Sequence, residues 1–120
     1  MQTHWDTVAI VGVGLMGGSI GLALRGRGLA REVVGIGRRA ASLRVARRMG
    51  AVTRTSLDVA RGVADAELVV VCTPVDRIVA DIERVAASCR PDTLVTDVGS
   101  TKGSIVRGVA GLKLPIRYVG

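Results

Sequence analysis

The sequence predicts an α/β domain: a doubly wound, mainly parallel sheet covered by helices on both faces. Three observations carry that prediction. Short runs rich in Val, Ile and Leu alternate with longer segments of helical period along the whole chain, as in strand–helix–strand units. The clearest runs are continuously apolar rather than alternating, as strands buried on both faces are. The first run also meets the first helical segment across four glycines, Gly12, Gly14, Gly17 and Gly18. At 120 residues the chain is long enough for one domain with its own core, so the whole of 1–120 is assigned to it.

The elements follow in order. Val8–Val13 is β-branched and reads as the first strand. Leu15–Leu24 has helical period and stops near Gly26 and Gly28, as helices commonly do at glycine. Glu32–Ile36 is the second strand, and Ala40–Met49 is a helix with an arginine-rich outer face, closed by Gly50. Ala51–Thr53 reads as a short third strand and Leu57–Val63 as a short helix. Leu68–Cys72, "LVVVC", is the clearest strand after the first. Val75–Ala87 is an amphipathic helix with Val75, Ile78, Val79, Ile82 and Val85 on one stripe. Leu94–Thr96 is a strand, Lys102–Val109 a helix, and Ile116–Val119 starts one more strand. No linker, repeat or low-complexity segment interrupts the series.

Composition bounds the function. Hydrophobic residues make up 48% of the chain, with no Phe, one Trp and one Tyr, so the core is aliphatic. The net charge of +7 favours an anionic partner. Aromatic residues are too scarce for base stacking, and the basic residues are scattered apart from Arg38–Arg39 and Arg47–Arg48, which argues against nucleic acid. A solvated arginine-rich surface accounts for most of the charge. No apolar run is long enough to span a bilayer, and "MQTHWD" is not a secretory signal. Cys72 and Cys89 fit neither a disulfide framework nor a metal site, and both are expected as reduced thiols of a cytoplasmic protein.

Gly12-Val13-Gly14-Leu15-Met16-Gly17 is a G-x-G-x-x-G between a predicted strand and a predicted helix, the context that makes the motif a dinucleotide-binding fingerprint. Gly12 permits the tight turn, Gly14 lets a pyrophosphate approach the backbone, and Gly17 lets the helix pack closely on the strand. The helix N-terminus then faces the phosphates. Gly18 and Gly21 extend the small face and predict very close helix–sheet contact. The sheet is therefore of the Rossmann type. About 20 residues on, a carboxylate would bind the ribose 2′-hydroxyl of NAD, but the second strand ends "VVGIGRR", with Gly37, Arg38 and Arg39 there instead. Two guanidiniums without a carboxylate suit the 2′-phosphate of NADP. The alternative is that both arginines are solvated and NAD is the cofactor.

Three stretches together resemble the nucleotide-binding domain of the prephenate/arogenate dehydrogenase family of tyrosine biosynthesis. They are "GVGLMGGSIGLAL" (12–24), "DAELVVVCTPVDRI" (65–78) and "VTDVGSTKGSIV" (95–106). The specific element is Asp97-Val98-Gly99-Ser100-Thr101-Lys102, similar to the family's D-x-G-S-x-K. The resemblance implies an NAD(P)-dependent oxidative decarboxylation. Prephenate would give 4-hydroxyphenylpyruvate, or arogenate would give tyrosine, as hydride passes to the nicotinamide and carbon dioxide leaves. It implies that Cys72-Thr73-Pro74-Val75 lines the cofactor together with the glycine loop and Gly99. It implies that Ser100 helps position the substrate hydroxyl beside a catalytic histidine. Read from the residues alone, Ser100 could equally cap the next helix, and Lys102 could be solvated or point into the site. The family's histidine lies in an H-P-x-A-G segment after R-[FY]-[VI]-G. Here Arg117-Tyr118-Val119-Gly120 ends the sequence, and the only histidine, His4, precedes the first strand. The expectation is a cofactor half that does not turn over substrate alone. The parent enzyme would carry a helical substrate and dimerisation domain and act as a homodimer. Competing readings are another 6-phosphogluconate-dehydrogenase-like NADP oxidoreductase domain, against which "DVGSTK" argues, and a non-catalytic NAD(P)-sensing module.

Overall fold

Alternate residues of each central strand serve two separate cores, which is why the strands read as unbroken apolar runs. The computed structural model describes residues 5–98 and 117–119. Its elements are β1 (Trp5–Val11), α1 (Leu15–Gly26), β2 (Ala30–Ile36), α2 (Ala40–Arg48), β3 (Arg54–Ser56), α3 (Val59–Val63), β4 (Leu68–Val71), α4 (Val75–Ser88), β5 (Leu94–Asp97) and β6 (Arg117–Val119). In β1, Ala9 and Val11 join Val34, Ile36, Val69 and Val71 under α3 and α4, whose Val63, Ile78, Ile82 and Val85 close that layer. Val8 and Ile10 point the other way, to a core that includes Val33, Val70 and Ala46 and is flanked by Ile20 and Leu24 of α1. Side chains that alternate between two buried faces require apolar residues at every position.

All pairings are parallel, and the six strands run in the order β3-β2-β1-β4-β5-β6. The chain builds outward from β1 through β2 to β3, then returns to the other side of β1 with β4. This is the doubly wound Rossmann order, and the point of reversal lies between β1 and β4. Register there aligns Val11 with Val71, so both strands release their chains at the same end of the sheet. A crevice at that end follows from topology alone.

Three local expectations are corrected. The third strand is Arg54–Ser56, not Ala51–Thr53. Ala51 and Val52 are the buried residues, but they fill a gap in a connection: Val52 packs over Gly35, and the Ala51 carbonyl sits against Gly21. The true strand is an edge with exposed Arg54 and Thr55, so its polarity hid it. The first strand starts at Trp5, three residues early, and ends at Val11; Val13 belongs to the turn and is apolar because it covers Gly35 and Gly37. The expected close contact of Gly18 is absent, because a Cβ there would meet nothing within 4 Å. Gly21 does make a close approach, to the Ala51 backbone rather than to the sheet. The helix expected at Lys102–Val109, and His4, lie outside the described residues.

The remaining helix ends have local causes. Gly28 and Gly50 adopt φ of +63° and +83° just past α1 and α2, as left-handed helix ends require. α3 starts at Val59 because Asp58 caps it, accepting from the Ala60 N–H at 3.0 Å. Leu57, expected inside that helix, stands before it and is 61% exposed.

Candidate cofactor-binding site

A cleft of about 520 Å³ opens at the carboxyl ends of the central strands, a volume suited to a cofactor-sized ligand. Its floor is Val11, Gly12, Val13 and Gly14 from the turn after β1. One wall is Ile36, Gly37, Arg38, Arg39 and Ser42 after β2, continued by Leu57 and Val59. The opposite wall is Thr73 and one stripe of α4, formed by Arg77, Asp81 and Arg84.

Each glycine of the floor has a distinct physical reason. Gly12 has φ +95°, and a Cβ there would stand 3.0 Å from Thr73 Cγ2 and 3.2 Å from the Cys72 carbonyl. Only glycine suits that conformation and that gap. A Cβ on Gly17 would overlap the Gly12 carbonyl oxygen, so Gly17 lets α1 begin directly against the turn. Gly14 differs: a Cβ there meets nothing of the protein within 4 Å. The protein does not need glycine at that position for its own packing, and the turn is open there to the approach of a ligand. Gly14 is also the N-cap of α1 and offers no side-chain cap, and the first turn of α1 holds no acidic residue. The early N–H groups of a helix lack intrahelical partners, so α1 presents donors and a positive dipole end to the cleft.

Two buried side-chain atoms point to the same conclusion. Thr73 Oγ1 and Arg77 Nε are buried without a hydrogen-bond partner among the described residues. Unpaired buried donors are costly unless a ligand satisfies them. An open approach at Gly14, an uncapped helix start and two orphaned polar atoms fit a dinucleotide with its pyrophosphate over the glycine turn. The charge fits as well. Among the described residues, Arg38, Arg39, Arg77 and Arg84 line the cleft, against one carboxylate, Asp81.

Of the residues singled out in the sequence, the structure gathers Gly12, Gly14, Gly37, Arg38, Arg39 and Thr73 on one cleft. Gly17 lies beneath it. The side chains of Leu15 and Met16 are 93% and 56% exposed and do not line it; what these residues contribute is backbone at the start of α1. Pro74 is the N-cap of α4, Val75 is 44% exposed, and neither lines the cleft. Cys72 packs on the core that holds Val8 and Ile10. Burial first, and then the Asp97 carboxylate, push its thiol up from 9.0 to about 11, so it is no thiolate nucleophile at neutral pH. Asp97 ends β5, buried, and accepts a hydrogen bond from the Tyr118 hydroxyl of β6. Burial and that bond raise the tyrosine's pKa. Gly99 and Ser100 lie outside the described residues. The sequence reading missed Arg77, Asp81 and Arg84, whose polar stripe gives no local sign of facing a cleft rather than solvent.

Residues 20–120 match the family described as prephenate dehydrogenase, nucleotide-binding domain. The chain belongs to that family. It is 34% identical over 119 residues to a prephenate dehydrogenase of Bacillus subtilis (strain 168), covering 98% of this chain and 32% of that protein. The chain thus spans about a third of the length of this curated relative. Among solved structures, the prephenate dehydrogenase from A. aeolicus in complex with hydroxyphenyl propionate and NAD+ superposes with a TM-score of 0.87 at 26% identity, covering 98% of this chain and 41% of that one. Synechocystis arogenate dehydrogenase gives a TM-score of 0.82 at 28% identity, over 89% of this chain and 37% of that one. This prephenate dehydrogenase nucleotide-binding domain has the Rossmann-type fold and the nucleotide-binding role expected from its sequence. Among its described residues no helix is long and apolar enough to cross a membrane.

Proposed function

We propose that this domain binds NADP for a cytoplasmic, homodimeric dehydrogenase that oxidatively decarboxylates prephenate or arogenate. The observation that carries the cofactor choice is the end of β2. Where a carboxylate would accept the 2′-hydroxyl of NAD, the chain has Gly37, and Arg38 and Arg39 follow it on the cleft wall. Both arginines are exposed at the rim, free to close on a phosphate in forked geometry. Gly12, Gly14 and the start of α1 hold the pyrophosphate, and Thr73 supplies a hydroxyl at the end of β4. When bound, the nicotinamide supplies the hydride acceptor for substrate oxidation. Ser100 is proposed to position the substrate hydroxyl, and the backbone of the Cys72–Val75 turn, with the Thr73 side chain on the cleft, and Gly99 to border the cofactor. Prephenate and arogenate are carried over from the relatives, and neither is preferred on the residues described. The clustered arginines are assigned to a dinucleotide, and no nucleic-acid or membrane partner is proposed.

The double variant Arg38→Ala/Arg39→Ala tests the assignment by calorimetry. It is expected to lose about 10- to 100-fold in NADP affinity, the scale of hydrogen bonds to charged groups, while NAD affinity stays within about threefold. Unchanged NADP affinity would overturn it.

A further inference from the structure

Asp81 is out of place on α4. The helix buries Ile78, Asp81, Ile82 and Val85, three aliphatic side chains and one carboxylate whose side chain is only 8% exposed. A buried acid demands a partner. Among the described residues its one hydrogen bond comes from Arg84 Nη1, long at 3.4 Å and on Oδ1 alone. One turn earlier, Arg77 has its Nε buried with no partner among those same residues. Both side chains line the cofactor cleft, where Val11, Ile36, Leu57 and Val59 supply apolar surface. The cleft therefore offers apolar walls, one under-used acceptor and one orphaned donor, set on the same helix face by their spacing of four.

We propose that Asp81 and Arg77 read the edge of the cofactor's adenine, Asp81 accepting from the 6-amino group and Arg77 Nε donating to a ring nitrogen. Adenine presents an amino donor beside an unprotonated ring nitrogen, whereas a 6-oxopurine presents an acceptor at the same place. That oxygen would face the Asp81 carboxylate and leave it unsatisfied. The pair thus selects adenine over hypoxanthine or guanine. Distinct parts of the cleft do distinct work: Arg38 and Arg39 judge the 2′ position, α4 judges the base. The inference rests on the reading of this cleft as a dinucleotide site, and its test separates the two.

The test is calorimetric titration of the chain and of Asp81→Asn with NADP and with its hypoxanthine analogue, in which the 6-amino group is an oxygen. The unmodified chain is expected to bind NADP about 10- to 100-fold tighter than the analogue. Asp81→Asn, whose amide can present a donor to that oxygen, is expected to bring the ratio to within about threefold of one. NADP binding without discrimination, or a ratio unchanged in Asp81→Asn, overturns the inference and leaves the cofactor site standing. Binding of neither dinucleotide to the unmodified chain overturns the cofactor reading and this inference with it. Should Asp81→Asn fail to fold, the ratio in the unmodified chain and in Arg77→Lys decides the question. That replacement keeps the charge but removes the Nε donor, and is expected to weaken NADP binding.

Discussion

Gly17→Ala and Gly14→Ala are expected to fail in opposite ways, although both place one methyl on the same turn. At Gly17 the new Cβ would overlap the Gly12 carbonyl oxygen and stand 3.1 Å from Ile10 Cγ2. Backbone cannot swing aside as a side chain can, so α1 must shift off the sheet. Overpacking of this kind costs about 3 kcal/mol, a fall of roughly 10 °C in Tm for a chain of this size. NADP binding is lost along with the loop geometry. At Gly14 the methyl meets nothing within 4 Å, so stability should stay within about 1 kcal/mol of the parent, as for a small change at an N-cap. The methyl nevertheless occupies the approach of the pyrophosphate, and NADP affinity should fall at least about 100-fold. Thermal melts with and without NADP separate the two. If Gly14→Ala retained NADP-dependent stabilisation, the glycine turn would be architecture and not a phosphate cradle.

The second large effect is expected from Gly37→Asp, which supplies the carboxylate that β2 lacks. The position takes it with a small adjustment: a Cβ would stand 3.2 Å from Leu43 Cδ2, so this far end of a flexible side chain must give slightly, and the residue is only half-buried. The new carboxylate would accept the ribose 2′-hydroxyl of NAD and repel the 2′-phosphate of NADP. NADP affinity should drop about 100-fold and NAD affinity rise several-fold, inverting the preference. Parallel titrations of the variant with both cofactors check this. A variant that still prefers NADP by the parental ratio would place the 2′ position somewhere other than beside Gly37.

Where the chain's physics is local, the sequence disclosed it. Continuous Val and Ile runs gave the central strands because both faces of β1, β2 and β4 are buried. The glycine turn and the Gly37-Arg38-Arg39 wall were legible because a tight turn and a strand end leave their marks within a few residues. Two things escaped. β3 is an exposed edge paired by its backbone, Val34–Ile36 to Arg54–Ser56, with its first two side chains exposed, and hydrophobicity pointed instead to Ala51 and Val52, which are buried in the connection before it. The stripe Arg77, Asp81 and Arg84 escaped because helical periodicity separates apolar from polar positions but cannot tell a polar side facing solvent from one facing a crevice. That distinction depends on where β2 and β3 end, which is a property of the whole sheet. Val75 shows the same limit in reverse, apolar by pattern yet 44% exposed at the mouth of α4.

The central claim is that the arginine wall after β2 makes this a site for NADP, and one measurement reaches it most directly: calorimetric titration of this chain with NADP and with NAD at a single fixed salt concentration. Binding of NADP at least about tenfold tighter than NAD is the predicted result. Equal affinities, or tighter binding of NAD, would contradict it.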